Sequence, residues 1–264
     1  MSQSPESADS PADSPAGRPP TPGSQAWHGT YRSRPVSFVR RGSRLQGRRQ
    51  KAWEEHADNY VIDVPRHVAD TSVHPEFILD AEAVYGRKAP LIVEIGSGLG
   101  EAVVHAAAEN PETDFLAVEV YRPGLAQTLL KVAARGLTNV RVVQANAPEV
   151  LATMIRPASL AEVWVFFPDP WHKAKHEKRR LVTPAFAEQV AAALCPGGIW
   201  RLATDWEHYA QQMRQVGDAS SSFTNLNPSA DGWAPRFAGR ILTSFENKAH
   251  QAGRSIHDLA YRKV

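Results

Sequence analysis

Short apolar runs alternate with helical patterns between Leu91 and Ala203, and this alternation constrains the fold more than any other feature of the chain. Buried strands are predicted at Leu91–Ile95, Phe115–Glu119, Val140–Gln144, Val163–Phe167 and Ile199–Ala203. The segments between them predict helices at Glu101–Glu109, Pro123–Ala134, Pro148–Ile155 and Pro184–Leu194. A shorter helix is expected at Gln46–Tyr60, and two further strands beyond Asn225, one of them near Arg240–Phe245. Because such alternation is typical of βαβ units, we expect an α/β fold with a doubly wound, mainly parallel sheet.

The chain before this region differs in composition. Residues 1–26 are rich in Ser and Pro and lack aliphatic periodicity, so they cannot bury enough apolar surface to offset their ordering entropy. We expect them to be a disordered tail. Residues 27–60 are predicted to form a basic, Arg-rich N-terminal extension, and residues 61–264 the α/β domain.

The composition also argues against several classes of protein. Cys195 is the only cysteine, so an intramolecular disulfide is impossible, and nothing in the sequence points to a metal site. No apolar run is long enough to span a membrane, and Glu6, Asp9 and Asp13 stand where a signal peptide would carry positive charge. We therefore expect a cytoplasmic protein without a membrane partner or a metal. Its oligomeric state, monomer or homodimer, stays open.

Basic residues are segregated along the chain, although the net charge is only +2. An acid-free cluster lies within residues 32–51 and comprises Arg32, Arg34, Arg40, Arg41, Arg44, Arg48, Arg49 and Lys51. A second cluster holds Lys173, Lys175, Lys178, Arg179 and Arg180 against the single acid Glu177. Two such clusters indicate a polyanionic partner. Either one alone is more typical of a solvated surface.

A glycine-rich turn follows the first predicted strand and reads EIGSGLG from Glu94 to Gly100. Such a turn lets the backbone approach a ligand closely, with Gly96 and Gly98 as the candidate contacts, although it can also be a purely structural tight turn. The spacing is not that of a dinucleotide site, and a carboxylate at Glu94 would crowd a pyrophosphate. It suits a cationic ligand, which favours S-adenosyl-L-methionine.

Two further polar residues follow predicted strands at the same edge of the sheet. Glu119 ends the second strand, where doubly wound folds place the carboxylate that accepts hydrogen bonds from ribose hydroxyls. Asn146 follows the third strand and can meet the edge of the adenine, although it can equally be an ordinary turn residue.

The fourth predicted strand runs into Pro168-Asp169-Pro170, which places an acid between two prolines at the carboxyl edge of the sheet. Open α/β sheets bind their ligands at that edge. Proline on both sides restricts the backbone, which is useful where a carboxylate must be held in one place. Pro-Asp-Pro is also an ordinary turn sequence.

From Phe166 to Leu181 the chain reads FFPDPWHKAKHEKRRL, which closely resembles the signature of bacterial tRNA (guanine-N7)-methyltransferases. The resemblance extends from about Ser37 to the C-terminus. It includes SFVRR at residues 37–41, the glycine turn, ATDW at residues 203–206 and TSFE at residues 243–246. The departures are minor and lie in the glycine turn and in RGSR at residues 41–44.

The resemblance implies a Rossmann-like methyltransferase fold, transfer of a methyl group from S-adenosyl-L-methionine to N7 of a guanine in the variable loop of tRNA, and a role for each matching residue. The positions implied to contact the cofactor are Glu94, Glu119, Asn146 and Asp169, with Asp169 also the catalytic residue. Those implied to bind the substrate are Lys173, Asp205, Thr243, Ser244, Phe245 and Glu246. Those implied to contact RNA are Lys175, His176, Glu177, Lys178, Arg179 and Arg180.

The reaction itself is compatible with this acidic set. Guanine N7 carries a lone pair and no proton, so methyl transfer needs alignment and charge stabilisation, without a base to deprotonate the nucleophile. Three alternatives stay open on the sequence: a nicotinamide-dependent oxidoreductase, a non-catalytic RNA-binding relative, and a methyltransferase acting on another RNA or a small molecule.

Overall fold

The computed structural model describes Met1 and residues 44–228 and 231–264. Most of the predicted tail, half of the basic extension (residues 27–43) and the motif at residues 37–41 lie outside the described residues.

Seven strands of the described chain form one sheet in the order β3-β2-β1-β4-β5-β7-β6. Their bounds are β1 Leu91–Ile95, β2 Asp114–Glu119, β3 Val140–Gln144, β4 Leu160–Phe166, β5 Leu194–Thr204, β6 Phe223–Asn225 and β7 His257–Lys263. Strands β1 to β5 pair in parallel, and β7 lies antiparallel between β5 and β6. The Rossmann-like methyltransferase fold with a mainly parallel, doubly wound sheet is thereby confirmed.

Helices cover both faces of this sheet. Their bounds are α1 Gly47–Tyr60, α2 Ala81–Tyr85, α3 Glu101–Glu109, α4 Arg122–Ala134, α5 Ala147–Glu149, α6 Pro184–Ala193, α7 Glu207–Ala219 and α8 Ser244–Gln251. A π-helical turn, Val150–Met154, continues α5, and a 3₁₀ helix spans Ala174–Arg179. The central strands are buried on both sides, with Val93, Leu116 and Val163 fully enclosed, as expected when helices pack on both faces of a parallel sheet.

One glycine decides how closely α4 approaches the turn after β1. A Cβ atom on Gly124 would lie 2.3 Å from the carbonyl oxygen of Gly98. Only glycine therefore lets the first turn of α4 pack directly on the glycine-rich turn, and this contact fixes the carboxyl ends of β1 and β2 relative to each other.

The prediction of a strand near Arg240–Phe245 is wrong. The chain there leads into α8, whose first backbone N–H groups are capped by Thr243: its hydroxyl accepts a hydrogen bond from the N–H of Glu246 at 3.2 Å. Thr followed three residues later by Glu is the sequence of a helix N-terminus, so capping outweighs the β propensity of the preceding residues. The additional antiparallel strand is β7, further along the chain.

Two other boundaries differ from expectation. Strand β4 begins at Leu160 and ends at Phe166, so Phe167 lies outside it. Strand β5 begins at Leu194, ahead of the Pro-Gly-Gly sequence, because a register shift against β4 between Leu160 and Glu162 accommodates those extra residues.

Within the described residues, no helix has both the length and the apolar character needed to cross a membrane. The same residues contain no group of three or more His, Cys, Asp or Glu side chains placed to hold a metal ion.

Candidate active site

Acidic side chains gather at the carboxyl edge of the sheet, across four adjacent strands. Glu94 lies in β1 and Glu119 ends β2, while Asp169 and Asp205 follow β4 and β5. The chain leaves β1 toward β2 on one side, and β4 lies on the other, so this is the topological switch point at which open α/β sheets bind ligands. Asn146 follows β3 at the same edge.

Glu119 holds the glycine-rich turn in place. Its carboxylate accepts hydrogen bonds from the backbone N–H groups of Gly98 at 2.9 Å, Val120 at 2.7 Å and Tyr121 at 3.0 Å. Burial raises the pKa of Glu119 in spite of these three bonds, and the nearby Asp169 adds to the effect. The side chain therefore joins the ends of β1 and β2 before any ligand is bound, a contact that sequence reasoning did not anticipate.

Three buried polar atoms around this edge have no hydrogen-bond partner within the described part of the chain: Glu94 Oε2, Ser97 Oγ and Asn146 Oδ1. Burial raises the pKa of Glu94 to about 8. Buried polar groups are almost always satisfied in a working protein, so unsatisfied acceptors at a ligand-binding edge point to a ligand that donates hydrogen bonds. An ammonium group suits Glu94, because it supplies both a positive charge and a donor for Oε2.

The glycine turn leaves room for such a ligand. Gly96 has a φ of +73°, and a Cβ atom there would have no heavy atom within 4 Å. Open space beside a backbone that only glycine adopts readily fits the close approach of a cofactor. These residues fit the donor-rich end of S-adenosyl-L-methionine. Ser97 was not predicted as a contact, and its position inside the glycine turn is the signal that identifies it.

The Pro168-Asp169-Pro170 turn is held in an unusual backbone conformation. Phe167 and Trp171, on either side of it, have φ values of 51° and 47° although neither is glycine. Such conformations persist only where surrounding contacts enforce them, and they concentrate at functional sites. Asp169 is exposed. Partial desolvation raises its pKa, while the nearby His172 acts in the opposite direction.

Arg180 supplies one of the contacts that enforce this turn. Its Nε donates a hydrogen bond to the carbonyl oxygen of Pro170 at 2.9 Å, and its Nη1 donates to Gln212 Oε1 at 2.7 Å. Only 1% of the residue is exposed. Its predicted contact with RNA is therefore corrected: a buried guanidinium that already bridges the turn and α7 positions Asp169 and cannot reach a phosphate.

The other predicted RNA contacts lie in the 3₁₀ helix Ala174–Arg179, and Lys173, a predicted substrate-binding residue, directly precedes it. Lys173, Lys175 and Lys178 are exposed, whereas His176, Glu177 and Arg179 are partly buried. The Arg179 guanidinium lies 5.1 Å from the centroid of the Trp171 ring. This face adjoins the Asp169 turn and presents flexible cations to solvent, as phosphate binding requires.

The predicted substrate segment at the start of α8 is divided between surface and interior. Ser244 donates hydrogen bonds to Glu101 from its backbone N–H at 2.7 Å and from its hydroxyl at 2.5 Å, which docks α8 on α3 beside the glycine turn. The Phe245 side chain is 53% exposed, and its ring lies 3.7 Å from where a Cβ of Gly98 would be. These two residues stay candidates for substrate contact.

Thr243 and Glu246 require a correction. Thr243 is buried and caps α8, and Glu246 is completely buried between Arg236 and Arg240. Burial alone would raise the pKa of Glu246, but hydrogen bonds from both arginines outweigh it and hold the pKa below its usual value. A carboxylate with this many internal donors is a structural anchor and is closed to the substrate.

Asp205 keeps an accessible position at the end of β5. Its Oδ2 accepts a hydrogen bond from Arg254 Nε at 2.7 Å, and the side chains of Arg254 and Asp205 are 42% and 22% exposed. An exposed ion pair of this kind contributes little to stability, so Asp205 can exchange its partner for a ligand.

Comparison with known proteins gives a consistent result. Residues 88–259 match a family described as "Putative methyltransferase". A "tRNA (guanine-N(7)-)-methyltransferase" of Paenarthrobacter aurescens (strain TC1) is 59% identical, over 95% of this chain and 98% of that protein. A protein of the same name from Arthrobacter sp. (strain FB24) is 57% identical, over 100% of this chain and 100% of that protein. Another, from Cutibacterium acnes, is 48% identical, over 87% of this chain and 83% of that protein.

Proposed function

Because the chain belongs to the tRNA (guanine-N(7)-)-methyltransferase family, we infer that it transfers a methyl group from S-adenosyl-L-methionine to N7 of a guanine in tRNA, within the variable loop. The observation that carries this inference is the set of four carboxylates on adjacent strand ends, one of which, the buried Glu94, has an oxygen without a hydrogen-bond donor. A tRNA substrate also supports a cytoplasmic location.

The cofactor supplies the methyl group as an electrophile, and the chain supplies binding and orientation. Glu94 binds the ammonium group, Glu119 accepts from the ribose hydroxyls, and Asn146 meets the adenine edge. Each assignment is supported by a position at the carboxyl edge, and those of Glu94 and Asn146 also by an unsatisfied buried oxygen. Gly96 and Gly98 allow the backbone to approach the ligand.

The accessible acids act on the guanine. As N7 gains a methyl group the ring becomes cationic, and its N1–H and exocyclic amine become stronger hydrogen-bond donors. Carboxylates that accept from these groups bind the transition state more tightly than the substrate, which lowers the barrier without removing a proton from N7. Asp169 and Asp205 are the two accessible carboxylates on neighbouring strand ends. Lys173 and the exposed lysines of the 3₁₀ helix bind the RNA backbone beside them.

The direct test of this function is methylation of unmodified tRNA transcripts with labelled S-adenosyl-L-methionine, followed by mapping of the modified base. We expect a single N7-methylguanine in the variable loop. Label in another base or another RNA, or no incorporation with any tRNA, would refute the assignment.

Glu94 gives the site a defined pH dependence. In the free protein its carboxyl group has a pKa of about 8, and binding an ammonium group requires the carboxylate. Affinity for S-adenosylhomocysteine should therefore rise between pH 6 and 8, by up to about tenfold per pH unit, and level off above pH 8, with release of a proton on binding. Calorimetry in buffers of different ionisation enthalpy measures both quantities.

The isosteric variant Glu94→Gln provides the control. It should bind more weakly at pH 8 and lose this pH dependence. Burial raises the folded-state pKa of Glu94 from 4.5 to about 8. The contribution of the neutral group to the free energy of unfolding is therefore fully present below pH 4.5 and is lost as the pH rises through about 8. The unliganded variant should therefore be more stable than the unliganded wild type above pH 8. Identical pH profiles for the two proteins would contradict this role.

A further inference from the structure

A charged cavity lies between the start of α1 and the start of α4, apart from the residues already assigned to the cofactor and the guanine, and it includes Arg44 of the acid-free basic cluster. Its volume is about 740 Å³, and its lining includes Arg44, Gln46, Gln50 and Arg122. The two arginines come from segments far apart in the sequence, so it is the fold that brings these two cations to one cavity.

Neither guanidinium is neutralised within the described residues. No carboxylate there forms an ion pair with Arg44 or Arg122, and the buried Nε of Arg122 has no hydrogen-bond partner. The Arg122 guanidinium instead lies 4.3 Å from the centroid of the Trp53 ring on α1. Stacking on an aromatic ring holds the planar group in place and leaves its N–H donors for a ligand.

The two helix starts that border the cavity add to its positive potential. Gln46 is the N-cap of α1 and Arg122 is the first residue of α4. Neither helix has an acidic residue in its first turn, and neither N-cap makes a side-chain hydrogen bond. The free N–H groups at the start of α1 and the dipoles of both helices therefore reinforce the two guanidinium groups in selecting an anion.

The cavity also adjoins the reaction site. Arg122 lies three residues after Glu119 and two before Gly124, which packs on the glycine-rich turn. We propose that this cavity binds a backbone phosphate of the tRNA substrate through Arg44 and Arg122, on the cofactor side of the site and opposite the lysines of the 3₁₀ helix. The proposal rests on the proposed function, because it requires an RNA substrate.

Arg122→Gln tests this site, with tRNA binding measured between 50 and 200 mM salt in the presence of S-adenosylhomocysteine. Loss of one phosphate contact should reduce the log–log salt slope by about 0.7 to 0.9. The KM for tRNA should rise several-fold, while kcat at saturating tRNA and affinity for S-adenosylhomocysteine stay unchanged. Arg122→Lys, which keeps the charge, should retain a slope close to that of the wild type.

Arg135→Gln is the matched control, because Arg135 is exposed at the other end of α4, about 20 Å along the helix axis. It should leave the slope unchanged. If Arg122→Gln does not fold, Arg44→Gln decides, since Arg44 is exposed and should also lower the slope. If the wild type methylates tRNA but the arginine variants at the cavity keep the wild-type salt slope of tRNA binding, the phosphate site alone is overturned. A wild type that neither binds nor methylates tRNA would overturn the proposed function as well.

Discussion

Replacing Arg240 by methionine is expected to lower the free energy of unfolding by about 3–5 kcal/mol, because it leaves the buried Asp258 without its ionic partner and Glu246 with Arg236 alone. Arg240 lies within 3.2 Å of Glu246 and 2.6 Å of Asp258, and these three residues are 1%, 0% and 5% exposed. The arginine joins α8 to β7, and its guanidinium packs 5.1 Å from the ring centroid of Phe166. Urea denaturation at neutral pH measures the loss.

The matched control is Arg236→Met. Arg236 also pairs with Glu246, at 2.6 Å, but its side chain is 43% exposed, and Glu246 keeps Arg240 when it is removed. We expect this variant to lose clearly less stability than Arg240→Met, because Glu246 keeps its buried partner and the Arg240–Asp258 pair is untouched. Equal losses in the two variants would mean that Arg240 contributes no more than the partly exposed Arg236.

The strands of the sheet are the part of the fold that the sequence predicts best. Strands β1 and β3 have the predicted bounds. A parallel strand that is buried on both faces has a sequence of mostly apolar residues, and such a run is recognisable in the sequence. The start of β4 is missed because Glu162, a charged residue near its beginning, is accommodated by an ion pair with Arg201 at 2.7 Å. That partner lies on a neighbouring strand, and local pattern carries no information about it.

In the segment before α8, the sequence predicts a strand that the structure does not contain. Ile241, Leu242 and Phe245 are apolar and suggest a strand, yet all three are exposed. Apolar periodicity predicts a strand only where those side chains face a core. The capping signal of Thr243 and Glu246 was present in the same residues and is the one that the chain follows.

The site was predictable in its location but not in the state of each acid. Strand ends place Glu94, Glu119, Asp169 and Asp205 at one edge, as topology requires. Whether an acid is open to a ligand depends on partners supplied by the tertiary structure. Glu246 is closed by two arginines, whereas Asp169 faces solvent on a turn that the buried Arg180 holds.

Asp169→Asn is expected to slow methyl transfer to tRNA by at least about tenfold, or about 1.4 kcal/mol of barrier. The amide has the shape of the carboxylate but lacks the charge that stabilises the cationic purine in the transition state. The variant should fold and still bind S-adenosyl-L-methionine. Partial desolvation raises the pKa of Asp169. As the pH is lowered, the wild-type rate should therefore begin to fall at a higher pH than the pKa of an ordinary aspartate would give. The variant should not show this loss of rate.

Single-turnover methylation with saturating cofactor and tRNA tests most directly the claim that methyl transfer to guanine N7 takes place at the carboxyl edge beside Asp169. Wild type, Asp169→Asn and Glu112→Gln are compared; Glu112 is exposed in the turn before β2, at the opposite edge of the sheet. We expect N7-methylguanine in all three, with a wild-type rate for Glu112→Gln and at least about a tenfold slower rate for Asp169→Asn. Equal rates for wild type and Asp169→Asn would remove Asp169 from the chemical step and leave Asp205 as the accessible carboxylate to be examined.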